Sequence, residues 1–150
     1  MLSPFLPLVI YIILVGVFGC ALAWRSLIAM KTMSKWRILG ACSLPLLACI
    51  VFWTLVLHMH THFNGWPENI QDHLFSVALE RHREIQEYIL TLTFGVAFIV
   101  APLSALLVWA RPRLRPLLNY LGIFYLAFLL LALSIFTDIA PKGYRDWFWD

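Results

Sequence analysis

HMHTHFNGWPENIQDHLFSVALERHREIQEY, residues 58–88, is the one long polar stretch in a chain otherwise dominated by hydrocarbon side chains. It opens on three alternating histidines, His58, His60 and His62. Asn64-Gly65-Trp66-Pro67 then has the composition of a turn. Beyond it, Asn69 with Asp72 three residues later fits a helix-capping pattern related to the capping box. Ile70, Leu74, Val77, Ala78, Ile85 and Tyr88 follow as an apolar stripe, interrupted by Arg81. The spacing predicts an amphipathic helix that lies on the end of a bundle or in a lipid interface and runs into the next apolar segment without a break.

Working outward, the flanks decide the fold class. Hydrophobic residues make up 62% of the chain and charged residues 13%, where a soluble domain carries about 25% charged residues. The charges are bunched, leaving uncharged runs over 1–24, 38–57, 88–110 and 116–137. Each meets the roughly 20 apolar residues needed to cross a bilayer. The expected architecture is an all-α membrane protein of one domain, 1–150. Its four transmembrane helices lie at about 6–24, 38–57, 88–109 and 117–136, in two hairpins, with the amphipathic outer helix between the second and third. The first segment lacks a basic leader and a small-residue cleavage site, so it reads as a retained helix rather than a signal peptide.

Charge placement sets the expected orientation. Arg25, Lys31, Lys35 and Arg37 occupy the first connection, and Arg111, Arg113 and Arg115 the last, with no acid in either. Every Asp and Glu lies in the central stretch or the C-terminal tail. Because Lys and Arg favour the cytoplasmic side, loops 25–37 and 111–115 are expected inside, and both termini and residues 58–87 outside. The expected location is a bacterial inner (cell) membrane. The basic loops are read as topology signals, not as a nucleic-acid surface.

Small residues mark the helix-packing faces. Ala97, Ala101 and Ala105 repeat every four residues, the spacing that lets helix backbones approach in lipid. Gly16, Cys20 and Trp24 form a second stripe. Pro45 and Pro102 are expected to kink their helices, since each removes a hydrogen bond and crowds the carbonyl four residues back. Cys20, Cys42 and Cys49 lie within the apolar segments and suit packing rather than thiol exchange at the outer surface.

No charged residue lies deep in an apolar run, which argues against a pump or charge-driven transporter. The histidines lie outside the runs, which argues against axial haem ligation. Reactive potential is confined to the outer region. There His73, Glu80, Glu84 and Glu87 share a helical stripe, while His58 and His62 share a face if the second helix continues. Imidazole and carboxylate together suit zinc or copper, so His58, His60, His62, His73, Glu80, Glu84 and Glu87 form a candidate ligand set. The expected function is nonetheless non-catalytic. It is the binding of another integral membrane protein, or of a second copy, by an accessory subunit or immunity-type protein, through the alanine face and the outer helix. A metal-handling or metal-dependent role for the His/Glu set is the alternative.

Overall fold

The computed structural model describes residues 6–65 and 76–136, and its described residues are helical throughout apart from short turns. α1 spans Leu6–Ala29 and α2 spans Lys35–Phe63. α3, Val77–Gly95, passes through a π-helical turn at Val96–Val100 into α4, Ala101–Trp109. A 3₁₀ turn at Pro112–Leu117 leads into α5, Leu118–Phe136. Four stretches are long and apolar enough to cross a membrane: Pro7–Thr32, Lys35–Phe63, Val77–Trp109 and Pro112–Phe136. In the third, the charged side chains are confined to Glu80–Glu87, so the uncharged part begins at Tyr88.

The helices at the polar stretch are longer than their apolar runs predict. α2 continues past residue 57 to Phe63, making the three histidines helical. It then stops on Asn64, whose φ of 52° is left-handed. The Gly65 N–H donates to the His60 carbonyl (3.0 Å) and the Asn64 N–H to that of Thr61 (3.4 Å), the Schellman solution to unpaired carbonyls at a helix end. α3 begins after Ser76, whose hydroxyl oxygen accepts the Leu79 N–H at 3.2 Å, an N-cap. The Asn69/Asp72 cap expected from the sequence lies outside the described residues.

α5 is the helix the others share. α1 packs along it, α2 packs on it and on α3, and α4 also touches it. The close neighbour of α1 is thus α5 rather than α2, although α1 and α2 are consecutive and the sequence suggests pairing them as a hairpin. The reason is local. Gly122 lets the α1 backbone sit against α5, where an added Cβ would lie 2.2 Å from the Leu22 carbonyl oxygen and 1.9 Å from Ser26 Oγ. Gly19 does the same for the Tyr125 ring. The Ser26 hydroxyl shares its one proton between the carbonyls of Leu22 and Asn119, 2.8 Å from each. Arg25 Nε donates to Asn119 Oδ1 at 3.2 Å.

The π turn has an equally local cause. Pro102 has no N–H to give Phe98 four residues back or, in the π register, Ala97 five back. Both carbonyls are satisfied from other helices: Tyr125 of α5 donates to Ala97 at 2.7 Å, and Tyr11 of α1 donates to Phe98. The proline therefore produces a register change in α3–α4 that two tyrosines complete.

Burial falls in two clusters. One joins Ala48, Phe52, Leu55, Val56 and Met59 of α2 to Leu79 and Leu90 of α3 and Leu131 and Ile135 of α5. The other joins Val15, Leu22 and Ala23 of α1 to the three alanines and to Phe124, Tyr125 and Phe128 of α5.

Candidate functional site

The polar chemistry of the bundle gathers between the last turns of α2 and the first turns of α3. Val51, Thr54 and His58 follow one another at three- and four-residue spacing on α2, so they share a face. Opposite stands His82 of α3. His58 Nδ1 and His82 Nδ1 are 3.1 Å apart, and the ring centroids 5.4 Å. His82 Nε2 lies 3.4 Å from Thr54 Oγ1.

This geometry fixes the tautomers. The Thr54 hydroxyl spends its proton on the Val51 carbonyl at 3.0 Å, so toward His82 it can only accept. His82 Nε2 therefore carries the hydrogen and its Nδ1 a lone pair, which leaves His58 Nδ1–H as the donor between the rings. Burial first, and the facing His58 second, hold His82 below the ordinary histidine value, against a hydrogen bond to the Val51 backbone that favours the charged ring.

One turn further along α3 is a second unusual group. Gln86 is fully buried, and neither its amide nitrogen nor its amide oxygen has a hydrogen-bond partner among the described residues. A buried amide left unpaired costs about 1–3 kcal/mol. Gln86→Leu, which keeps the volume and removes the polar atoms, is expected to stabilise the protein by about 1–2 kcal/mol. Thermal unfolding in detergent reads this directly, and a lowered midpoint would refute it.

The residues singled out from the sequence divide between several faces. His58 joins the His82 pair. His60 and His62 are exposed, with the His62 ring edge-on to Phe63 at 4.8 Å. Glu80, Glu84 and Glu87 line an exposed surface with Arg83, whose Nε is 2.9 Å from Glu87 Oε1. That stripe lies about 140–160° around α3 from His82, at about 100° per residue. His73 lies outside the described residues. Among those described, no three His, Cys, Asp or Glu residues gather as a metal site. Ala97, Ala101 and Ala105 are each 1% exposed and face α1 and α5 within the second cluster.

His82, Thr54 and Gln86 were not among the expected site residues. The signal was available: the alanine series extends backward at three- and four-residue steps through Thr93, Leu90, Gln86, His82 and Leu79. All of these are buried except His82, which is half-buried. The apolar stripe chosen instead is the outer face. Val77, Ile85 and Tyr88 are 72%, 53% and 78% exposed. Val51, Val77, Ala78, Arg81, His82 and Ile85 line a shallow groove of about 600 Å³ there. No protein-family model, curated protein or solved structure matches the chain.

Proposed function

We propose that this is a small polytopic membrane protein that acts without catalysis, by binding another integral membrane protein at the histidine end of the bundle. The observation that carries the reading is the exposed series Val77, Ile85 and Tyr88 on the charged part of α3, beyond its uncharged run. Large apolar side chains there gain by burial, about 25 cal/mol per Å², and the adjoining groove gives them a floor with Arg81 at its edge. The partner that fits is an apolar helical segment with a carboxylate opposite Arg81. The alanine face is occupied within the chain, so the docking surface is the amphipathic stretch of α3 alone. An accessory-subunit or immunity-type role follows from this mode of action. The metal-handling alternative has less support, because the glutamates lie on a different face of α3 from His82, the partner of His58 on α2.

The proposed setting is a bacterial inner membrane with the histidine end outside. What supports that side is the concentration of Arg25, Lys31, Lys35, Arg37, Arg111, Arg113 and Arg115 at the other end.

The test is a photo-crosslinking amino acid at Tyr88 in the full chain, in its native membrane. A protein adduct of one discrete mass is expected, lost in Ile85→Glu and absent when the crosslinker replaces Leu107 on an exposed face of α4. Lipid adducts alone at Tyr88 would overturn the docking reading. A cysteine at the same position, in a chain lacking Cys20, Cys42 and Cys49, should label with an impermeant thiol reagent in intact cells. Failure of that labelling would reverse the orientation only.

A further inference from the structure

We infer that the basic end of the bundle binds one anionic phospholipid at the α1–α5 junction, its phosphate taken by Arg25 with Arg115 as a second donor. This goes beyond the docking reading. It concerns the opposite end of the bundle and holds whichever side that end faces.

Charge sets the kind of ligand. Residues 25–37 hold four Lys and Arg, residues 111–115 hold three, and neither stretch holds an acid. The acids among the described residues are Glu80, Glu84 and Glu87. Even Glu87 is separated from Trp109 by about 33 Å of helix, at about 1.5 Å per residue. No described carboxylate therefore stands beside these cations.

Arg25 differs from a loop cation whose only effect is on topology. It belongs to α1, and its Nε–H donates to Asn119 Oδ1 of α5 at 3.2 Å. Asn119 is itself fixed, because its carbonyl accepts the Ser26 hydroxyl at 2.8 Å and Gly122 brings the two helices into contact. The guanidinium is thus anchored at its root by two helices, which lowers the cost of ordering it around a ligand. An arginine has five N–H donors in a planar fork, so four remain, with no acceptor among the described residues. A phosphate offers the oxygens that fit such a fork. Arg115, about one turn before Asn119, is held in the same way, its Nε donating to the Trp109 carbonyl at 3.5 Å.

The tryptophans give the depth. Trp24, Trp36 and Trp109 at this end are 70%, 82% and 60% exposed, and exposed indoles in a membrane protein lie at the head-group level. Trp24 adjoins Arg25 in the chain, and Trp109 holds Arg115. Both guanidiniums therefore stand where lipid phosphates lie. From Arg25 toward the bundle's middle, Ala21, Val17 and Leu14 follow at four- and three-residue steps on one face of α1, and all are exposed. That apolar track beneath a cation suits a phosphate carrying acyl chains better than a free phosphate. Basic sites between membrane helices take lipid head groups in this way. A zwitterionic head group would bring its own cation among the surrounding Lys and Arg; an anionic one does not.

The test uses the full chain purified in detergent, mixed with dioleoyl phosphatidylglycerol, with native mass spectrometry counting retained lipid. One lipid per chain is expected, in preference to dioleoyl phosphatidylcholine. Arg25→Lys keeps the charge but loses the fork, and should lower retention about tenfold, the loss of one hydrogen bond to a charged group. Lys31→Gln removes a charge from the same end without touching the junction and should change retention little. Where Arg25→Lys does not fold, Arg115→Lys gives the same readout. Equal retention of the two lipids would overturn the inference, as would a loss in Lys31→Gln as large as that in the arginine variants. Inorganic phosphate offered alone should not be retained; its retention would make this a free-phosphate site and overturn the lipid.

Discussion

Gly122→Val is expected to cost about 3 kcal/mol of stability, the upper end for forcing volume into a closed contact. The new Cβ would lie 2.2 Å from the Leu22 carbonyl oxygen and 2.7 Å from its carbon. Those are backbone atoms of α1 and cannot rotate aside as a side chain can. α1 must therefore move off α5. With it go the Ser26 hydrogen bond to the Asn119 carbonyl and the Arg25 contact with the Asn119 side chain. Because α1 has its main packing against α5, no other surface compensates. Gly40→Val supplies the control, since nothing lies within 4 Å of an added Cβ there. Thermal unfolding in detergent should show a large fall for the first and little change for the second. Equal effects would mean that the α1–α5 approach is not what stabilises the bundle.

The tyrosine pair gives the second large effect. Tyr125→Phe removes the donor to Ala97, and Tyr11→Phe the donor to Phe98. Each leaves a carbonyl that Pro102 cannot serve; the Tyr125–Ala97 bond is the buried one, at about 1–3 kcal/mol for an unpaired buried group, and the Tyr11–Phe98 bond is exposed. The double variant is expected to lose about 3 kcal/mol in total. Its loss should fall short of the sum of the single ones, because neighbouring carbonyls on one turn relax together. Pro102→Ala restores an N–H to that turn and should make Tyr125→Phe nearly harmless. If Tyr125→Phe costs as much with alanine at 102 as with proline, the account of the π turn fails.

What the sequence showed and what it hid follow from the kind of information each feature needs. Four apolar helices are legible because charge is expensive in hydrocarbon, and the bunching of charges around residues 25–37, 58–87 and 111–115 is one-dimensional. The end of α2 was not, because a polar helical turn such as His58–Phe63 has no apolar run to mark it. The partner of α1 was hidden because Gly122 and Gly19 speak of close approach without saying to what. The His58–His82 contact was hidden for a further reason. The buried face of α3 carries Gln86 and His82, and a search for apolar residues selects Val77 and Tyr88 on the outer side and Ile85 on the flank, in the groove beside His82. The alanine series held the right register, but polar members broke the pattern before it reached the site.

The place of α5 in the fold bears on the order in which the bundle can be made. Ser26 and Arg25 find their partner at Asn119, more than ninety positions later in the chain. At a synthesis rate of about 5–20 residues per second, α1 waits on the order of ten seconds before its neighbour exists. Through that interval the Gly19 and Leu22–Ser26 surface has only lipid, or whatever shares the insertion site, to lie against. α2 and α3 meet each other much sooner. The newborn protein thus passes through a state with a formed central pair and a stranded first helix, and assembly is completed by its last span rather than built up from its first.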